Sequence, residues 1–415
     1  SIRPSAPTTE SKLSREISPR KSSSPFKNIS HCVEASSMTR YLTSSNEVKV
    51  EGEGERRKII LPLSGFPVYL KVANAKRAAL IGALETCEVA ADMEKLPLQL
   101  VMKLVTPTEA ELKVVNPLTR PLEADIEVGG KTTHVALAAK TSQAIRCTLP
   151  APVSYTAFAD VSVPVKATFR GKVFEESYAT RAIAVTKVSG WPNWSKIPAA
   201  PVVHRRPTSS NPKREWRGAK DLSATAQLAY DADNLYLRVN VTDDRLVLPA
   251  AVPDDWQGRY AFDAVQLFFD AFGNGREKEK FGSIGYDMDD FSYELLPSNA
   301  TSAVVYRRLA PDHQFTGGAL TGYQSKVVED GIPCAIEPFE GGYSYVVAFP
   351  KAYIRPLPLD GTMTPGLSLE IYDSDEDGDP ERHWIGKGSW LVSDIPGGSG
   401  AFQSPHRYTT LVFER

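Results

Sequence analysis

The sequence predicts an all-β protein made of two or more β-sandwich domains in tandem, and three observations carry that prediction. Between residues 224 and 270 apolar and polar side chains alternate. Leu235, Leu237, Val239 and Val241 fall on one face, with Tyr236, Arg238 and Asn240 on the other. That period of two is what a half-buried antiparallel strand requires. Short runs of the same kind recur from 111 to 137 and after 343, punctuated by Gly, Pro, Asn and Asp, and helix signals are scarce throughout. A chain of 415 residues is long enough for two or three domains that each bury a core.

The elements follow in order. Residues 1–46 are rich in Ser, Pro, Lys and Arg, which predicts a disordered tail or linker. From 47 to 95 the texture changes to a β segment, and residues 58–70 have strand composition broken by prolines at expected edges. Residues 96–187 read as one small sandwich of immunoglobulin-like type. In it, 111–115 is a strand, 116–121 a turn, 122–128 an alternating strand, Gly129-Gly130 a tight turn and 133–137 the return. The entry at Trp191 opens the last region, 188–415, with strands at 235–241 and 263–270, and further ones at 343–349, 367–373 and 408–413.

Composition excludes some functions. Lys and Arg number 48 against 50 Asp and Glu, so the net charge of −2 offers no bulk attraction to nucleic acid or anionic membrane. No apolar run approaches the roughly 20 residues needed to span a bilayer. Residues 1–30 lack the apolar core of a signal peptide, and the chain begins at Ser1 without methionine, as a processed product or a piece of a larger protein would. Cys32, Cys87, Cys147 and Cys334 form no CxxC pair, so a structural zinc site is not expected. Cys87 and Cys147 could pair within one domain, leaving Cys32 and Cys334 unexplained, and unpaired, mostly buried thiols are the equal alternative.

Several motifs carry a resemblance that covers roughly the C-terminal half. They are W-x-x-I-P at 194–198, the strand pair from Ala229-Tyr230-Asp231 to Asp243, the Trp256 loop leading into Asp-Ala-Val-Gln-Leu-Phe-Phe-Asp at 263–270, and Ala-Phe-Gln-Ser-Pro-His-Arg-Tyr at 401–408. Together they resemble carbohydrate-binding modules of family 9 and their DOMON-like relatives. The resemblance implies a jelly-roll sandwich that binds a polysaccharide or oligosaccharide without catalysis. In that family two aromatic rings hold a terminal sugar, and by position these are Trp256 and Phe402. The physics agrees, since a pyranose offers an apolar face to a ring and an edge that needs directional hydrogen bonds. The polar set implied is Gln266, Ser292 and Glu294, standing where better-studied members carry Glu, Arg and Asn.

Shorter resemblances place this module in context. Leu-Ser-Gly-Phe-Pro-Val-Tyr at 63–69 is similar to the closing strands of the β-sandwich that follows a glycoside hydrolase barrel, which implies that 47–95 is a β segment closing a preceding domain, and 96–187 resembles the spacer sandwiches of secreted carbohydrate enzymes. They imply a secreted or periplasmic accessory region of a larger glycoside-active protein, with that protein's catalytic domain as partner. Two alternatives stay open: a structural or protein-interaction sandwich without a sugar ligand, and a fragment of a glycoside hydrolase whose catalytic domain is missing.

Acidic residues supply the remaining candidates. Asp373, Asp375, Asp377 and Gly378 imitate the start of an EF-hand loop, although the twelfth position is Trp384. Glu381 can close a different oxygen cage, so a structural calcium ion is one expectation and a solvated acidic turn the other. Asp287, Asp289, Asp290 and Glu294 form a second patch, read as a solvated or calcium-binding loop because no barrel surrounds it. No acid–base pair, HExxH or G-x-S-x-G element marks a catalytic centre. A haem would need axial ligands such as Met288 with His383 or His406, and no local signature supports them.

Overall fold

The computed structural model describes residues 33–36, 46–47, 49–51, 58–60, 69–72, 96–207, 216–249, 262–275, 286, 289–309, 314–316, 319–321, 327–374, 390–395 and 404–414. The chain divides into two compact units, Ser1–Met93 and Glu94–Arg415. In the first, β1 (Val33–Ser36), β2 (Asn46–Glu47) and β5 (Tyr69–Val72) form an antiparallel sheet, and β3 (Lys49–Glu51) pairs with β4 (Lys58–Ile60). Strand β1 lies inside the stretch expected to be a disordered tail. Its backbone finds partners in β5 and β2, and pairing between distant segments is invisible to local composition.

The second unit begins with seven strands in two sheets. They are β6 (Gln99–Thr106), β7 (Glu109–Val115), β8 (Leu122–Val128), β9 (Lys131–Leu137), β10 (Ser142–Thr148), β11 (Ala159–Phe169) and β12 (Lys172–Lys187). One sheet runs β10-β7-β6 and the other β9-β8-β11-β12. Strand β8 alternates as its sequence predicts: Leu122, Ala124, Ile126 and Val128 are buried and Glu123, Asp125 and Glu127 exposed. Gly129 and Gly130 turn it into β9 with φ of +59° and +73°, the sign that a two-residue hairpin turn of this hand demands. The turn at 116–121 is fastened by buried Asn116, whose Nδ2 donates to the Arg120 and Ala138 carbonyls while its Oδ1 accepts from the Leu118 N–H. Cys147 is a buried free thiol and Cys334 a partly buried one; Cys32 and Cys87 lie outside the described residues.

Strand β12 ends at the boundary expected at 187/188, and its last residues pair with strands that lie beyond it. Through Ala182 it pairs with β11, and from Ala182 to Val185 it also runs parallel to β27 (Thr409–Phe413). Its last residues run parallel to β15 (Leu222–Tyr230). Ile183 and Val185, with Phe158 just before β11, belong to the core of the C-terminal sandwich.

That sandwich starts with β13 (Ala200–Val202) and β14 (His204–Pro207), which precede β15. Next come β16 (Asn234–Asp243), β17 (Ala264–Asp270), β18 (Asp290–Asn299) and β19 (Ser302–Leu309), then the short β20 (Gln314–Thr316), β21 (Ala319–Thr321) and β22 (Val327–Val328). The rest are β23 (Cys334–Phe339), β24 (Gly342–Pro350), β25 (Gly366–Asp373) and β26 (Trp390–Ser393), ahead of β27. One layer is β13-β15-β16-β24-β23. The other is β22-β19-β18-β17-β25, flanked by β26 and β27.

Leu235, Leu237, Val239 and Val241 project from the first layer, as their spacing predicts, and share one core with Val265, Leu267 and Phe269 of the second. Phe269 stacks on Phe291 at 4.8 Å and meets Phe349 edge-on at 6.1 Å. The prediction of half-buried strands needs one correction. All seven residues of β17 and all eight of β25 are buried, so the second layer is covered on both faces.

Candidate functional site

The residues that differ most from a core composition lie on the outer face of that second layer. Along β17 the odd positions Val265, Leu267 and Phe269 enter the core, so Gln266 and Phe268 must point the other way. Register then builds a row across the sheet: Gln266 stands opposite Glu294 on β18 and Glu370 on β25, and Glu370 opposite Ser393 on β26. The Gln266 Nε2 donates to Glu294 Oε1 at 3.2 Å, and the Tyr372 hydroxyl donates to Glu370 Oε2 at 2.8 Å.

A guanidinium joins this row from β19. The pairing of β18 with β19 shifts between Ser292–Leu309 and Tyr293–Arg307, which makes Arg308 the extra residue of a bulge. A bulge re-aims a side chain, and Arg308 Nε comes to 4.0 Å from Glu294 Oε2. Gln266, Ser292, Glu294, Arg308 and Glu370 are each 2% exposed or less. Carboxylates, an amide and a guanidinium on one face provide both acceptors and fork-shaped donors.

A second cluster gathers where β16, β17 and β25 end. Asp243 closes β16, Asp263 immediately precedes β17 and Asp373 closes β25. One carboxylate oxygen from each lies within 4.8 Å of the others. Burial pushes the Asp243 carboxyl up to about 6, reinforced by the charges of Asp244 and Asp221. Burial, then the charge of Asp243, pushes Asp373 up to about 8, and the same causes with Asp373 added hold Asp263 well above the carboxylate range. A third group unites Asp270, Asp289 and Asp290. There Asp270 serves a tight turn, its Oδ1 accepting from the Gly273 N–H at 2.8 Å and its Oδ2 from the Gly275 N–H at 2.9 Å.

The structure therefore brings together some of the residues singled out in the sequence. Gln266 and Glu294 are bonded to each other, and Ser292 lies on the same face one row away, opposite Phe268. Trp256 and Phe402 lie outside the described residues, as do Asp375, Asp377, Glu381, Asp287, Met288 and His383. Asp373 meets Asp243 and Asp263, which are far from it in sequence. Glu294 separates from Asp289 and Asp290, because it faces Gln266 while they face Asp270. Sequence reasoning missed Glu370, Tyr372 and Arg308. The alternation in Leu-Ser-Leu-Glu-Ile-Tyr at 367–372 could have put Glu370 beside Gln266, whereas a bulge has no signature in a single sequence.

Comparison with known proteins follows the same region. The family described as "Carbohydrate family 9 binding domain-like" matches residues 194–414. Two solved structures are similar to the chain, both of a carbohydrate binding module family 9 from Caldicellulosiruptor kristjanssonii. The complex with cellotriose is 15% identical, with 56% of this chain and 94% of that one covered and a TM-score of 0.37. The complex with glucose is 16% identical, with 57% and 97% covered and a TM-score of 0.37. No curated protein sequence matches. Among the described residues, no helix is long and apolar enough to cross a membrane.

Proposed function

The chain belongs to the carbohydrate family 9 binding domain-like family, and from that premise we propose that its C-terminal sandwich binds an oligosaccharide or polysaccharide without catalysis. The observation that carries this reading is the polar row Glu294–Gln266–Glu370, with Arg308 beside it, on the outer face of one layer. Such a row supplies the alternating acceptors and donors that sugar hydroxyls need. Trp256 and Phe402 are the aromatic walls of the proposed site, and Ser292 is a further hydroxyl on its floor. In this reading the chain is a secreted accessory region that holds a catalytic domain of the same parent protein near a polysaccharide, raising its effective concentration there.

A glycan array probed with the whole chain tests this, with cellotriose and glucose among the probes. Specific signal that disappears in Trp256→Ala supports the reading. Identical glycan signal from wild type and Trp256→Ala removes the aromatic wall from it.

One observation favours a second reading. The floor residues are 2% exposed or less, as in an internal network that shapes a structural or protein-interaction sandwich without a sugar. On that reading no glycan gives signal, while Gln266→Ala destabilises the fold by about 1–3 kcal/mol through the loss of a buried hydrogen bond.

A further inference from the structure

We propose that the outer face of the first layer, β15-β16-β24-β23, is a second carbohydrate-binding face, shaped for an extended neutral polysaccharide. Strand register builds a polar row across it. Thr225 stands opposite Asn240, Asn240 opposite Ser344, and Ser344 opposite Glu337, while the alternate residues of these strands enter the core. Asn240 Nδ2 donates to Thr225 Oγ1 at 3.1 Å, and the Ser344 hydroxyl donates to Asn240 Oδ1 at 2.7 Å. Arg238 ties the row together: its Nε donates to Asn240 Oδ1 at 2.9 Å and its Nη2 to Ser344 Oγ at 3.2 Å. Its Nη1 meets Glu337 Oε2 at 3.0 Å. Unlike the row on the second layer, this one reaches solvent, with the Arg238 and Glu337 side chains 21% and 50% exposed.

Aromatic rings flank the row. Trp191, 61% exposed, stands edge-on against Tyr236 at 5.7 Å, and the Tyr236 hydroxyl is anchored by Asp231 at 2.7 Å. At the other end Phe339, 42% exposed, lies across Gly342, its Cζ 2.8 Å from where a Cβ on that glycine would stand. Gly342 is the partner of Thr242, and Tyr236 and Thr242 are about 20 Å apart along β16. A groove of 470 Å³, lined by Trp216, Arg205, Thr225 and Thr242 among others, continues the row at its β15 edge. There the Arg205 guanidinium lies 3.4 Å from the centre of the Trp216 ring.

The chemistry of the face selects its ligand. A solvated outer face needs only polar residues, whereas exposed rings of this size cost hydrophobic free energy until something apolar covers them. A pyranose supplies apolar C–H faces for the rings, and hydroxyls for the amide, hydroxyl and carboxylate groups between them. Arg238 and Glu337 neutralise each other, which disfavours a polyanion such as nucleic acid or a polyuronate. The span of about 20 Å between the two ends asks for a chain rather than a single sugar. No residue here belongs to the row on the second layer, so each face can bind without the other.

The test is native affinity electrophoresis of the whole chain through gels containing hydroxyethylcellulose, xylan or galactomannan. At least one of these is expected to retard wild type, with the dissociation constant raised at least about fivefold in Trp191→Ala and in Phe339→Ala. Both rings are exposed, so both variants are expected to melt with wild type. Gln266→Ala, which disrupts the row on the second layer, is expected to remain retarded by that polysaccharide and to be released only when Trp191→Ala is added. Equal retardation of wild type and either ring variant overturns the extended face. If Gln266→Ala alone is released, the second-layer site stands without this one. Failure of every polysaccharide to retard wild type also overturns the proposal.

Discussion

Deleting everything ahead of Val188 should cost the C-terminal sandwich most of its stability. The cut removes Phe158, Ile183 and Val185, which are 6%, 1% and 0% exposed and belong to the core of that sandwich. It also removes the parallel partner of β27 from Ala182 to Val185 and leaves that strand as an open edge. Burying a side chain of this size contributes about 1.5–3 kcal/mol, so the three together contribute about 5–8 kcal/mol. A whole domain is stable by only about 5–15 kcal/mol. Residues 94–415 and 188–415 should be compared by thermal circular dichroism. The shorter piece is expected to melt without cooperativity, or at least about 15 °C lower. Cooperative melting of both within about 3 °C would refute the idea that β12, while paired with β11, is also part of the C-terminal sandwich.

Two further predictions concern single residues. Gly273 has φ +65°, and a Cβ there would stand 2.1 Å from the Thr364 carbonyl oxygen. Gly273→Ala is therefore expected to destabilise the fold by about 2–4 kcal/mol in urea unfolding. The His204 imidazole is pushed below its ordinary range by burial and then by the charge of Arg181. The unfolded chain consequently binds the proton more tightly, so stability from this group is present above about pH 6.5 and falls as the solution is acidified. Urea midpoints at pH 7.5 and 5.5 should differ less in His204→Gln than in wild type; equal differences would remove this residue from the pH dependence.

Local signals carried much of the C-terminal fold. The turn between β15 and β16 was legible because Asp231 Oδ1 accepts from the Asp233 and Asn234 N–H groups, chemistry confined to four residues. Gln266 and Glu294 were named together only through the family resemblance, and the register of β17 with β18 sets them opposite each other. What was hidden is what depends on the third dimension. The change of partner along β12 leaves only a switch in burial after Tyr178, from mostly exposed to mostly buried. The bulge that brings Arg308 beside Glu294 leaves no mark in a single sequence. Asp243, Asp263 and Asp373 meet only because three strand ends do, so no spacing in the sequence joins them.

The account rests most on the polar face of the second layer, and calorimetric titration of the whole chain tests it most directly. A panel of soluble oligosaccharides built from glucose, xylose, mannose and galactose should be compared on wild type and Gln266→Ala, each checked for an unchanged fold. At least one sugar is expected to bind wild type saturably, with Gln266→Ala weaker by about tenfold or more, the equivalent of one lost hydrogen bond. Equal affinity of the two proteins for that sugar, or no binding by wild type to any of the panel, would contradict the account.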